Sequence, residues 1–341
     1  GVVAAHVRTR AQVQRFLWAV VASAVLVSLY GISQHFGVDL MRTGGGPVRR
    51  ASLSFGNPIF AGSFLVLTIP LTMALVMSLK DKTDRAEHIL LGATLIAPQI
   101  AAMAFTLSRG PWVGLIAGMG ALVVLLYWMG GLAVARRGLV ILASAGAIAF
   151  LLVLLPVPGA ASGSGVGDVG ERLGGIPAGV AGGMTHRWTT WTTAAEAFVT
   201  VPWVDTAEYP EFPELGFRPL RPLVGYGPDM FGYAYPLAGE QTYTFEISTH
   251  GHNFLVHTAL ELGLLGVAAY VFLAVAIGLA LLRLLRAARV RNGDLLYLML
   301  LVGLGAAFVG RVVEQIPGKA QVSDLMLAWV LAGLVVALTT F

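Results

Sequence analysis

The sequence predicts an all-α polytopic membrane protein with about eight transmembrane helices. Three observations predict it. Hydrophobic residues fill 57% of the 341 positions and charged residues only 12%, about half of the roughly 25% charge of a soluble domain. Eight apolar runs approach the roughly 20 residues that a helix needs to cross the hydrocarbon core. One connection alone is long, from residue 156 to 252, and it is rich in Gly, Pro and aromatic residues. The organisation read from this is five spans in 1–155, a large extracytoplasmic loop in 156–252 that contains short helices, and three spans in 253–341.

The expected spans, in order, are Phe16–Gln34, Ile59–Leu79, Ile89–Leu107, Trp112–Met129, Gly138–Leu155, Asn253–Leu282, Leu295–Val313 and Leu325–Phe341. The first residue is Gly1 and the last apolar run stops at Phe341, so the chain is expected to be part of a longer protein. Within the long loop, Pro156 to Gly183 reads as flexible. Thr185–Thr200 reads as an interfacial helix anchored by Trp188, Trp191 and Phe198. Pro202–Pro236, with its many prolines, reads as ordered irregular structure.

Composition also excludes. There are no cysteines, so disulfides and thiolate metal sites are ruled out. The net charge of +4 is no nucleic-acid signal, because the basic residues sit in short loops between apolar runs. With a cytoplasmic N-terminus the inner loops carry twelve positive residues and the outer side ten, four of them in the long loop, where the positive-inside rule has little force. The long loop then lies outside the cytoplasm. Nine of the ten outer residues are arginine, the side chain that grips phosphate or carboxylate with a planar fork of donors. An anionic ligand on that face follows as an expectation, and headgroup contacts are the plainer alternative.

Four motifs carry candidate chemistry. Ser108-Arg109-Gly110-Pro111 joins two helices with almost no turn, which fixes Arg109 at the membrane edge as a cation for phosphate or as an interface anchor. Asn57-Pro58 suits a helix cap, and the nearby Arg49 and Arg50 are candidates to face a ligand beside Asn57. Arg187 stands at the expected start of the interfacial helix, where it opposes the helix dipole, a mild argument for an anion nearby. The fourth is His250-Gly-His-Asn253, which opens the sixth span. On a helix starting near His252, residues Asn253, His257 and Glu261 share one face, with His257 and Glu261 as partners of each other. A metal pair at His250 and His252 with His257 is the alternative, but no carboxylate or cysteine cluster supports it. Val224-Gly-Tyr-Gly-Pro228 is a glycine turn rather than a phosphate loop, since no Lys-Ser/Thr follows it.

The fourth motif resembles a known family. His252-Asn253, nine further residues, Gly263, two residues and Gly266 match the pattern that closes the large periplasmic loop of the O-antigen ligase and O-antigen polymerase family of membrane glycosyltransferases. Arg50-Ala-Ser-Leu-Ser-Phe-Gly-Asn-Pro58, Ser108-Arg109-Gly110 and Gly225-Tyr-Gly-Pro228 also resemble family sequence, in family order. The resemblance implies the C-terminal part of a roughly twelve-helix fold in the bacterial inner membrane, with the site on the periplasmic face. It implies a glycan donor on undecaprenyl pyrophosphate, a lipid or glycan acceptor among membrane lipids, no cofactor or metal, and no nucleic acid. The family histidine maps onto His252 and the family arginines onto Arg109 and Arg187, as catalytic residues. Arg49, Arg50, Asn57, Asn253, His257, Glu261 and Arg311 are the candidates for substrate binding. The implied chemistry is metal-independent inverting transfer to an acceptor hydroxyl, as in a ligase, a polymerase or a protein O-oligosaccharyltransferase. The rival from another class is a small-solute or bicarbonate-related transporter, and a non-catalytic scaffold is third.

Overall fold

The computed structural model describes residues 2–41, 48, 50–79, 85–156, 169–170, 176–200, 218–235, 238, 250–290, 294–318 and 322–339. The described elements are all helical. They are α1 (Val2–His6), α2 (Arg10–His35), α3 (Pro58–Ser78), α4 (Arg85–Phe105), α5 (Arg109–Leu154), α6 (Ile176–Thr200), a 3-10 turn at Arg218–Leu220, α7 (Arg221–Val224), α8 (Phe231–Ala234), α9 (Phe254–Val290), α10 (Leu295–Gln315) and α11 (Val322–Leu338). Six of them, α2 to α5, α9 and α10, are long and apolar enough to cross a membrane. Each of the eight expected spans lies on a helix. The counts differ because α5 carries two of them and the apolar stretch of α11 is short.

The chain divides into two compact units. The first comprises residues 1–174, 277–314 and 320–341. Its centre is α3, of whose most apolar window 83% is buried within the chain. Nearly every residue from Ala61 to Met77 is buried, so the helix is apolar all round instead of striped. Around it pack α2, α4, α5 and α11. Lipid tails give apolar helices no drive to associate, so such contacts depend on close fit through small residues. A Cβ on Gly114 of α5 would stand 2.8 Å from the Gly310 carbonyl oxygen of α10, and one on Gly310 2.9 Å from the Gly114 carbonyl oxygen. In the core Gln99 of α4 bonds Thr68 and Thr72 of α3 at 3.1 and 2.9 Å, so its amide is satisfied where water is absent.

The helix starts obey local rules. Thr9 and Gln12 form a reciprocal capping box at α2. Asn57 caps α3 by accepting from the Ile59 N–H at 2.8 Å, and Pro58 occupies the first turn. The expected spans 112–129 and 138–155 are joined by a single residue instead of a loop. Gly131 adopts φ 72°, ψ −170°, and helix continues on both sides as 109–130 and 132–154. Arg136 and Arg137, expected in a cytoplasmic loop, are therefore helical. Residues such as Ile116, Val124 and Leu151 stay more than half exposed on α5, an apolar surface suited to lipid.

The second unit comprises residues 175–276 and 315–319. Its core is small: Ala194, Ala197, Phe231, Ala234 and Leu260 are buried, with Phe198, Tyr226, Tyr235 and Val256 packed on them. Three expectations for the long loop change here. Helix α6 begins at Ile176, so part of the stretch read as flexible is helical. Trp191 and Phe198 turn inward instead of anchoring at an interface: the Trp191 indole N–H donates to the Gly251 carbonyl at 2.7 Å, and Phe198 packs on the core. Trp188 is exposed, as an anchor would be. Of Pro202–Pro236, the part up to residue 217 lies outside the described residues, and 218–235 forms single helical turns joined by tight bends.

Candidate functional site

The second unit holds the His250–Gly263 motif in a frame that begins with a broken helix. Gly263 takes φ 66°, ψ −170° inside α9. A left-handed φ there excludes side chains at little cost only for glycine. The break frees the carbonyls just before it, which a continuous helix would bond four residues on. The Gly225–Gly227 turn takes them: the Tyr226 N–H donates to the Leu260 carbonyl at 3.0 Å, and the Gly227 N–H to the Glu261 carbonyl at 2.9 Å. The approach is backbone on backbone. A Cβ on Gly263 would lie 2.3 Å from the Leu223 carbonyl, and one on Gly225 2.2 Å from the Glu261 carbonyl oxygen. The glycine turn is thus a clamp on the helix break.

Glu261 ties the clamp to the core. One carboxylate oxygen accepts from the Phe231 N–H at 3.1 Å, at the first turn of α8. The other lies 3.3 Å from His257 Nε2, an i,i+4 pair. The Phe231 ring packs 5.0 Å from the His257 ring and is fully buried. His257 and Glu261 are therefore partners of each other, as their spacing predicts.

The loop ahead of the helix is equally fixed. The Asn253 carboxamide oxygen accepts from the Leu255 and Val256 N–H groups at 2.9 and 3.2 Å, so Asn253 caps α9 instead of sharing the face of His257 and Glu261. His252 sits at φ 46°, in the left-handed region that non-glycine residues seldom occupy. Its N–H donates to His250 Nδ1 at 3.0 Å. The His250 ring stacks on His257 with centroids 3.8 Å apart and planes 14° from parallel. Gly251, between them, is bonded by Trp191 of α6. Strain of this kind, held by surrounding structure, gathers at functional sites.

Arg187 is eleven residues inside α6, not at its start, so the dipole argument for an anion falls. Its position has another merit. It lies one turn before Trp191 on the face whose buried members are Thr190, Ala194 and Ala197, the face that covers the His250–His252 loop.

The first unit holds the other arginines. Arg50 binds the Thr106–Ser108 turn through two guanidinium nitrogens, Nε to the Thr106 carbonyl at 3.2 Å and Nη2 to Ser108 Oγ at 3.1 Å. Ala51 N–H adds a bond to the Phe105 carbonyl at 2.9 Å, and Leu107 takes φ 49°. Arg109 opens α5 directly after this braced turn, with Ser108 as the cap residue. Arg49 lies outside the described residues. Asn57 is engaged in capping. Arg311 is buried at 7% exposure and pairs with Glu314 at 2.7 Å, and Glu314, fully buried, accepts from Ser63 Oγ at 2.9 Å.

Sequence reading passed over His250, Phe231 and Trp191 as parts of this site. His250 was visible as a possible Asx-like turn, a side chain accepting from the N–H two residues on. The Trp191 and Phe231 contacts join residues about 60 and 30 positions from their partners, beyond any local pattern. Among the described residues no group of three His, Cys, Asp or Glu is arranged to hold a metal. Compared with known families and curated proteins, the chain matches no family model and no curated protein.

Proposed function

We propose that this chain is part of a membrane glycosyltransferase that moves a glycan from undecaprenyl pyrophosphate to an acceptor hydroxyl on the outer face of a bacterial inner membrane. The observation that carries the reading is the His252 loop. An imidazole stands at φ 46° directly ahead of a helix, on a backbone tied down by His250, Asn253 and Trp191. A general base needs this preorganisation, and imidazole is the side chain most often used for that task. The Gly263 break and the Gly225–Gly227 clamp give a physical reason for the glycine spacing on which the family resemblance rests.

In the mechanism we propose, His252 takes the proton of the acceptor hydroxyl. The hydroxyl oxygen attacks the anomeric carbon, the carbon–oxygen bond to pyrophosphate breaks, and undecaprenyl pyrophosphate leaves with its electron pair. One displacement inverts the anomeric centre. Arg187, in the same unit as His252, holds the pyrophosphate and stabilises charge as it departs, a task suited to a guanidinium fork; for Arg109 the same role rests on the family resemblance alone.

The test is release of undecaprenyl pyrophosphate from a defined oligosaccharide donor by the protein purified in lipid, with and without EDTA, beside His252→Ala. Release that survives EDTA and needs His252 supports the reading. Product size then separates ligation from polymerisation, and added peptide acceptors report protein glycosylation. A folded protein with no release on any acceptor sinks it. The transporter reading draws on two observations, the buried Arg311–Glu314 pair in an apolar helix and the His257–Glu261 pair beside the Gly263 break of α9. The first pair lies in the last two turns of α10 and the Gly263 break nine residues into the 37-residue α9, so both stand toward helix ends and not at mid-span, where transporters bind their solutes.

A further inference from the structure

We infer that His250 is a positioning residue for His252, acting through an unprotonated Nδ1; this rests on the reading of His252 as the base. The argument starts from the direction of one hydrogen bond. A backbone N–H only donates, so the His252 N–H at 3.0 Å from His250 Nδ1 requires a lone pair on that nitrogen. His250 is thereby neutral in this arrangement, with its proton on Nε2. The bond closes a small ring across Gly251, as an Asx turn does, and holds His252 in the left-handed region that its own side chain disfavours. Without it, the His252 backbone keeps the Asn253 cap and the Trp191 bond to Gly251 and loses the bond made by its own N–H.

The surroundings hold His250 in that role. Its ring is buried, at 4% exposure for the residue, and stacks on His257 at 3.8 Å. His257 faces Glu261 on the same helix, and among the described residues its Nδ1 is buried with no hydrogen-bond partner. A proton on His250 Nδ1 displaces the His252 N–H. It also sets a cation against the His257 ring stacked 3.8 Å away. Among the described residues, the other charged groups on the elements packed here are Arg187 and Glu196 on α6, Arg221 on α7, over the Tyr226 ring, and Asp229 in the turn before α8. Acidification therefore acts twice on catalysis: it protonates the base, and it releases the loop that aims the base.

The test uses the purified protein in lipid with the same oligosaccharide on undecaprenyl pyrophosphate, and follows release across a pH series for the native chain, His250→Asn, His250→Gln and His252→Ala. Asparagine places its Oδ1 where Nδ1 stands and does not titrate. Glutamine places its oxygen one atom further out. His250→Asn is expected to stay within about threefold of native kcat, and His250→Gln to lose about tenfold to a hundredfold at unchanged KM, the scale of a misplaced catalytic group. The acid limb of the native profile is expected to be steeper than a single titration, and that of His250→Asn to be a single titration. Equal rates for Gln and native chains, an Asn chain as slow as the Gln chain, or identical acid limbs for Asn and native overturn the inference. If the Gln chain fails to fold, the Asn rate and limb still decide. Release by His252→Ala at the native rate removes the base itself, and the inference with it; a dead His252→Ala beside a flat His250 series removes the inference alone.

Discussion

Tyr226 gives its backbone N–H to the Leu260 carbonyl at 3.0 Å, across 34 residues of sequence, because Gly263 has broken the helix that would otherwise use that carbonyl. The break and the docked turn need each other. Gly263→Ala puts a Cβ 2.3 Å from the Leu223 carbonyl at φ 66°, so it incurs both the left-handed penalty of about 1–2 kcal/mol and a backbone clash. We expect a loss of about 3 kcal/mol of local stability and of transfer. Gly120→Ala is the control, since a Cβ there meets nothing within 4 Å. Amide exchange at Tyr226 and Gly227 measures the first effect directly: protection unchanged in Gly263→Ala rejects the clamp.

Glu261 serves the His257 ring and the backbone at Asp229 and Phe231, and two substitutions separate ring from backbone. Glu261→Ala leaves the buried Phe231 N–H unpaired as well as His257, a cost of about 1–3 kcal/mol for the amide alone. Glu261→Gln keeps an oxygen for Phe231 and loses only the charge opposite His257. Thermal melts in detergent should therefore rank native, Gln and Ala in that order, with Ala at least twice as destabilised as Gln. Equal melts for Gln and Ala would assign the whole role to the charge.

How much of this was legible in the sequence differs by level. The apolar helices were, because apolar length is a bulk property that tertiary contacts hardly alter: among the described residues the eight runs fall on seven helices, six of them long and apolar enough to cross a membrane. The joints were not. Gly131 reads as one more glycine in a small-residue stretch, and only its φ of 72° shows that it alone turns the chain. The pairing of His257 with Glu261 was legible because i,i+4 spacing is local. The cap role of Asn253 hinged on one residue of helix boundary, which sequence does not fix. Arg187 shows the same limit more strongly. The start of α6 lies eleven residues before it, in a Gly-rich stretch with poor helix propensity, so an argument built on the helix end failed with that end.

Arg50 braces the turn that precedes Arg109 with two bonds in a fork that lysine lacks. Arg50→Lys keeps the charge and loses at least one bond, so we expect about a tenfold lower transfer rate with normal expression, from looser placement of Arg109. Arg109→Ala should abolish transfer while the protein still accumulates in the membrane. Near-native transfer in Arg109→Ala would reject its role, and an Arg50→Lys chain as inactive as Arg109→Ala would make Arg50 a ligand of the substrate instead of a brace.

Arg311 is the candidate whose setting argues against ligand binding. Its guanidinium is 2.7 Å from the fully buried Glu314 carboxylate, and Ser63 donates to the second oxygen at 2.9 Å. Removing one charge strands the other in an apolar interior. Arg311→Ala should therefore cost about 3–5 kcal/mol and lower the yield of folded protein. The double substitution Arg311→Met with Glu314→Gln removes both charges and leaves an oxygen for Ser63. It should recover more than half of the lost melting temperature, because desolvating two charges offsets most of what their attraction contributes. Transfer assayed in the same double variant gives the deciding contrast. Activity that returns with the fold makes the pair a membrane-core brace between α3 and α10. A folded double variant without activity makes Arg311 part of the anion site, and the buried carboxylate then becomes the group that holds it ready.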